Sequence, residues 1–295
     1  MNKILLHLRE IGTFLLNVLF YAILALLLYL LLIVFCFSSF KIPTGSMIPT
    51  IIPGDYVLVN KMAYGARLFD IFKASDGERV PIYRMPGYTH PRRNDVVVFH
   101  IPHPHSWNRI EMDLSKYFIK RCIALPGDTL SIVHGKYVVN GDTTQAWGYL
   151  PAQEKLSRTG LTQIPEGVVH TFPGDSILGW NIKDFGPLYI PKKGETLTLD
   201  RTHSLLYRKI IAWELQRDII FRDGSLWDGE NRIKEFTFRH NYLFMGGDRV
   251  MDSQDSRYWG LLPDDLVVGK AITVWKSVDP MTEKIRRERV FKRIR

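Results

Sequence analysis

Between Val18 and Phe37 the chain carries 20 residues without a charged side chain, and the uncharged stretch extends from Ile11 to Phe40. A helix rises ~1.5 Å per residue, so such a run reaches about 30 Å, the thickness of a hydrocarbon core. A cleavable leader would have an apolar core of roughly 7–15 residues and small residues at its exit. Here the exit reads Cys36-Phe37-Ser38-Ser39-Phe40, with aromatics in those places. A lipid-modified leader wants a small residue ahead of the cysteine, where Phe35 stands. A buried core helix would keep a polar face, and this run has none. The sequence therefore predicts a retained anchor over 13–38, preceded by a short segment, 1–12. Lys3 and Arg9 precede the span and only Lys41 closely follows it. That bias predicts a cytoplasmic N-terminus and an exported body.

Charge then needs locating. The formal net charge is +9, but the stretch from Lys284 to Arg295 holds seven basic residues against Glu288. The rest of the chain is close to neutral. No recognition motif accompanies the basic stretch, so nucleic-acid binding is set aside. Two readings of residues 277–295 stay open: a solvated basic tail, or a contact with anionic lipid headgroups. The two cysteines, Cys36 in the span and Cys122, give no disulfide framework.

The body reads as mostly β. Short apolar runs at Tyr56–Val59, Asp95–Phe99, Phe118–Leu125 and Tyr137–Val139 are bounded by turn residues. Pro-Gly-Asp recurs at Pro53, Pro126 and Pro173. Pro presets φ and Gly supplies φ > 0, so each predicts a tight reversal between strands. No long amphipathic helix is evident after the anchor, which favours a coiled antiparallel sheet. The expected body runs over 39–141, is interrupted by an inserted lobe over 142–240, and closes over 241–276.

Ser46 sits nine positions past Phe37 in Gly45-Ser46-Met47-Ile48-Pro49-Thr50, a turn-forming stretch. A lone serine in a turn is weak evidence of chemistry without a base. Strand alternation puts Phe118, Lys120, Cys122 and Ala124 on one face and turns Arg121 the other way. Burial disfavours the ammonium form, so a lysine there has a lowered pKa and, when neutral, can accept a serine proton. The plainer reading of Lys120 is a snorkelling strand lysine. A third segment, Gly246 to Gly260, is dense in polar and turn-forming residues and reads on its own as a solvated connection.

Taken in order, these segments resemble the bacterial type I signal peptidases, membrane-anchored serine proteases that remove signal peptides. Ser46–Thr50 resembles the nucleophile box and Gly54–Lys61 the strand after it. Arg93–Phe99, Lys120–Asp128 and Gly247–Arg257 are similar to the later boxes. The resemblance covers roughly residues 15–140 and 240–275 and is loose between them. It implies a sheet of the kind shared with self-cleaving repressors, Ser46 as nucleophile and Lys120 as general base, with no metal or cofactor. It further implies that Ser253 hydrogen-bonds and orients the lysine. Thr44 and the Ser46 N–H would form the oxyanion hole. Asp255 and Arg257, joined by Arg121, would be structural support. Thr44 replaces the commoner Ser with the donor kept, and Arg249 departs from the usual Asn. The implied partners are signal-peptide-bearing preproteins and the lipid bilayer, and the implied site is the extracytoplasmic face of a bacterial inner membrane.

His100, His103 and His105 invite a metal reading, but two prolines break the segment and no clear further ligand joins them. Asp184-Phe185-Gly186 lacks any accompanying phosphate loop and is chance. Eukaryotic-type signal peptidases use His where Lys120 stands, and self-cleaving repressors lack an anchor. An inactive membrane-tethered module that binds exported peptides is the alternative from another class. The separation of Ser46 Oγ and Lys120 Nζ discriminates: many ångströms would argue against an enzyme.

Overall fold

A computed structural model describes residues 2–76, 78 and 80–295, with side chains from His7 onward. A helix over Asn2–Leu31 continues as a wider turn over Leu32–Cys36 and becomes strand at Phe37–Lys41. It begins well before residue 13, so residues 2–12 belong to the same helix as the apolar run. The Lys3 side chain, used above to orient the anchor, lies outside the described side chains. Protein buries none of the apolar window within His7–Cys36, which is long and apolar enough to cross a membrane. Such a surface, apolar all round, is matched by lipid rather than by water. Lys61 joins the helix end to the body: its Nζ donates to the carbonyls of Ile33 at 2.7 Å and Val34 at 3.3 Å. Those carbonyls lack helical partners, and a cation there also meets the negative end of the helix dipole.

The body is built on an eight-stranded curled sheet. Its main order is Phe37–Lys41, Asp55–Asn60, Val267–Ser277, Val96–His100, Tyr117–Ala124, Tyr242–Gly246 and Leu262–Pro263, with Lys292–Arg293 paired to Val267–Ser277. Neighbours are antiparallel. Val267–Ser277 shifts register against both of its long neighbours, and such bulges coil a sheet. Both faces are covered. Val96, Val98 and Ile119 pack in one core with Met47, Ile51 and Val57, while Val97, Phe99 and Cys122 pack in the larger one. A strand buried on both sides reads as a continuous apolar run, and that is why these strands were legible.

Two of the Pro-Gly-Asp turns form as expected. Gly54 and Gly127 have φ of 89° and 91°, and Asp55 N and Asp128 N close on the carbonyls of Ile52 and Leu125. Each aspartate also accepts from a backbone N–H of its own turn, at Ile52 or Leu125. The third differs: Gly174 N bonds to Thr171 O, so that turn closes one residue earlier and joins no pair of strands.

The lobe corrects one expectation. A 15-residue amphipathic helix, Arg201–Leu215, lies within it, capped by Asp200 accepting from His203 N. Its buried face holds Leu206, Tyr207, Ile210 and Ile211, but also Ser204 and Glu214, and those polar residues masked the periodicity. Glu214 is used there, accepting from Tyr242 Oη at 2.6 Å and from Arg239 N at 2.8 Å. Strand Phe185–Tyr189 pairs with Thr129–Val133, and the larger core runs through lobe and sheet alike. Residues 277–295 are likewise no free tail, because Arg289 is buried and Lys292–Arg293 adds to the sheet.

Candidate active site

Ser46 follows the first strand of the sheet on a turn closed by Ile48 N to Gly45 O at 3.0 Å and Ile51 N to Met47 O at 3.0 Å. Met47 and Ile51 are sunk in the core and hold the turn from below. Ser46 is the residue left at its rim, 9% exposed. Its carbonyl accepts from Arg249 N at 3.0 Å, which ties the turn to the Gly247–Asp255 loop. Among the described residues neither the Ser46 N–H nor the exposed Thr44 hydroxyl makes a hydrogen bond.

Lys120 lies mid-strand in Tyr117–Ala124 and is 2% exposed. Its Nζ is 2.5 Å from Ser46 Oγ, within one hydrogen bond. It also stands 4.8 Å from the centre of the Phe118 ring, on the apolar face that alternation predicts. Burial is the largest influence on this amine and brings its pKa down to about 8, with Asp255 and Asp248 opposing the shift and Arg257 assisting it. The geometry is that of an alcohol and an amine able to exchange a proton.

Two ion pairs bracket the site. Asp255 and Arg257 are wholly buried and joined through Arg257 Nε at 2.8 Å and Nη2 at 2.7 Å. Asp255 also takes the Gly247 N–H at 2.9 Å. Burial alone would raise the Asp255 carboxyl, but the charge and hydrogen bonds of Arg257 outweigh it and leave the pKa lowered. Arg121 does not join this pair, contrary to expectation. On the opposite face from Lys120 it forks onto Asp248 at 2.8 and 2.7 Å and reaches Thr50 Oγ1 at 3.2 Å. Thr50 donates in turn to Asp248 at 2.5 Å. Asp248 and Thr50 thus belong to the site, though nothing in the sequence separated them from the other aspartates and threonines of the matching boxes.

Ser253 is buried beside Asp255, and no hydrogen bond joins its hydroxyl to Lys120. The expected serine–lysine bond is therefore not made in this structure. Gly247 leaves room for this packing. A Cβ there would stand 2.1 Å from Ser253 Oγ and 2.8 Å from the Ser46 carbonyl oxygen. Gly247→Ala is expected to lower kcat about 100-fold, the scale of a ~1 Å displacement of reacting groups. Wild-type turnover in that variant would show that the loop yields freely.

The three histidines that suggested metal are taken up by the protein. His100 Nδ1 meets Asp113 O at 3.0 Å, His103 Nδ1 meets Arg109 O at 2.6 Å, and His105 pairs with Glu111 at 3.0 Å. Among the described residues His240, Asp264 and Asp265 have ligand-compatible spacing. They too are engaged, His240 with Asp265 at 3.2 Å and Asp264 with Asn241 at 3.1 Å.

A family model described as "Signal peptidase, peptidase S26" matches residues 15–276. The chain belongs to this family. Among curated relatives, signal peptidase I of Pseudomonas aeruginosa is 31% identical over 263 residues, covering 85% of this chain and 69% of that protein. Signal peptidase I of Buchnera aphidicola (subspecies Acyrthosiphon pisum) is 27% identical, covering 83% and 70%. That of Rickettsia typhi is 24% identical, covering 87% and 85%. The family match takes in the lobe between 142 and 240, where motif comparison alone was loose, and ends before residue 277. The protein is thus a membrane-anchored serine endopeptidase of the signal peptidase family.

Proposed function

We propose that this signal peptidase cuts preproteins with Ser46 as nucleophile and Lys120 as general base. The observation that carries this reading is the 2.5 Å approach of Ser46 Oγ to an amine buried to 2% exposure. Neutral Lys120 takes the Ser46 hydroxyl proton as Oγ adds to the scissile carbonyl. Charge then appears on the carbonyl oxygen, where the Ser46 N–H and the Thr44 hydroxyl, both without protein partners, are the donors for it. Each such donor is worth about 3 kcal/mol in the transition state. The ammonium of Lys120 returns its proton to the leaving amine, which frees the mature protein. A water deprotonated by the same amine then adds to the ester, and the ammonium so formed returns the proton to Ser46 Oγ as the signal peptide leaves.

Ser253 serves the charged stage of this cycle. Its buried hydroxyl oxygen can accept from the ammonium that exists while Ser46 Oγ is bonded to the tetrahedral carbon. Asp255–Arg257 holds Gly247, and Arg121–Asp248 holds Thr50, so both pairs act on position rather than on substrate. No metal or cofactor has a part in these steps.

The anchor keeps the body at the membrane where signal peptides are embedded, with Ser46 nine residues past Phe37. Lys3 and Arg9 ahead of the span, against Lys41 after it, support a cytoplasmic N-terminus and a catalytic body on the extracytoplasmic face of a bacterial inner membrane. Of the basic residues near the C-terminal end, Lys284, Arg287, Lys292, Arg293 and Arg295 are exposed and available to anionic headgroups.

The pH profile tests this reading. Below its pKa of about 8, Lys120 holds a proton and cannot accept another. kcat/KM on a preprotein in detergent is expected to fall about tenfold per unit as pH drops below that value. A flat profile from about pH 5 to 9 would contradict the assignment of the base.

A further inference from the structure

The turn that carries Ser46 is held on its far side by residues beyond the family match. Asp55 is fully buried, and Arg289 grips it through Nε at 2.9 Å and Nη2 at 2.5 Å. The same Nη2 donates to the Thr50 carbonyl at 3.1 Å, four residues past Ser46. Arg286 Nη2 donates to the Pro53 carbonyl at 2.6 Å and to the Val278 carbonyl at 2.9 Å. The two backbones also touch directly. Val278 N donates to Gly54 O at 2.9 Å, and a Cβ on Gly54 would fall 1.9 Å from Val278 O. From the other side Arg121 reaches Thr50 Oγ1 and also donates to the Arg295 carbonyl at 2.9 Å.

We propose that residues 277–295 form a clamp on the Ser46 loop, with Arg289 and Arg286 as positioning residues for the nucleophile. The proposal rests on Ser46 being the nucleophile and adds an element that the family match, ending at residue 276, does not include. Neither arginine touches the reacting atoms. Their effect passes through Thr50, Pro53 and Asp55, the far end of the loop whose near end is Ser46. The loop needs such support because it is a chain of turns with few internal bonds, and turns do not fix their own placement. A forked guanidinium–carboxylate pair supplies orientation as well as energy. Part of the basic charge that looked like a solvated tail is therefore directed inward.

The test uses the full-length protein in detergent with a preprotein substrate. Arg289→Met is expected to lower kcat about 30- to 100-fold with KM within about threefold, since the displaced group acts in the chemical step and not in binding. Arg289→Lys keeps the charge without the fork, and kcat is expected to recover partway. Arg286→Met removes hydrogen bonds to carbonyls only, so it spares the fold, and kcat is expected to fall about three- to tenfold at unchanged KM. In an Asp55→Asn background Arg289→Met is expected to cost less than it does alone, because the forked contact is shared and only the bond to the Thr50 carbonyl is left to lose. The clamp is overturned if both methionine variants keep kcat within about twofold of wild type, or if their losses lie in KM alone. Ser46→Ala is run alongside. Cleavage by that variant would remove the underlying reading, whereas an inactive Ser46→Ala beside fully active methionine variants would remove only the clamp.

Discussion

Lys120→Met is expected to abolish preprotein cleavage while making the protein more stable. The loss follows from removing the base: deleting one member of an acting nucleophile–base unit costs about 10⁴- to 10⁶-fold in kcat. The gain follows from the same burial that tunes the amine. Lys120 has a pKa of about 8 in the folded protein against an ordinary value of 10.5. Between those values the unfolded chain binds a proton that the folded protein does not, so stability rises with pH across that window. Below about pH 8 both states are protonated and the whole penalty is felt, about 3 kcal/mol at ~1.4 kcal/mol per unit. A methionine fills the space without that penalty, though it gives up the bond to Ser46. The expected result at pH 7 is a Tm higher by about 5 °C with no measurable turnover. Above about pH 10.5 the stability gain should disappear. A variant that is inactive because it is less stable would contradict this view of Lys120.

Asp255→Ala is expected to have the largest effect on stability. Removing one partner of a wholly buried pair leaves the other charge without compensation, at a cost of about 3–5 kcal/mol. Arg257 would be that charge, and Gly247 N would also lose its acceptor. Because the pair makes the Asp255 carboxyl more acidic than usual, its contribution is present at neutral pH and is lost as pH falls through the lowered pKa. Thermal unfolding in detergent measures the effect. A Tm within about 2 °C of wild type would show that the pair does not hold the site together.

Much of this site is visible in the sequence because its parts are local. Alternation in Phe118–Ala124 places Lys120 among apolar neighbours, and Gly54 and Gly127 take the positive φ that Pro-Gly-Asp requires. What escapes is long-range pairing. Arg121 had Asp248, Asp252 and Asp255 within one polar loop, and only the fold selects Asp248. Arg289 finds Asp55 across 234 positions, so its strand-end segment read as a free basic tail. The helix Arg201–Leu215 was hidden because its buried face spends two positions on Ser204 and Glu214. Arg121, Arg289 and Glu214 are each satisfied inside the protein by partners distant in sequence, and local pattern carries no trace of such partners.

Cleavage by the dyad requires a proton to pass from Ser46 to Lys120, and the most direct test is cleavage of a radiolabelled preprotein by Ser46→Ala in detergent, beside wild type. The mature band is expected to be absent at enzyme concentrations where wild type cleaves to completion. Mature product at a rate within about tenfold of wild type would place the nucleophile elsewhere and contradict the dyad.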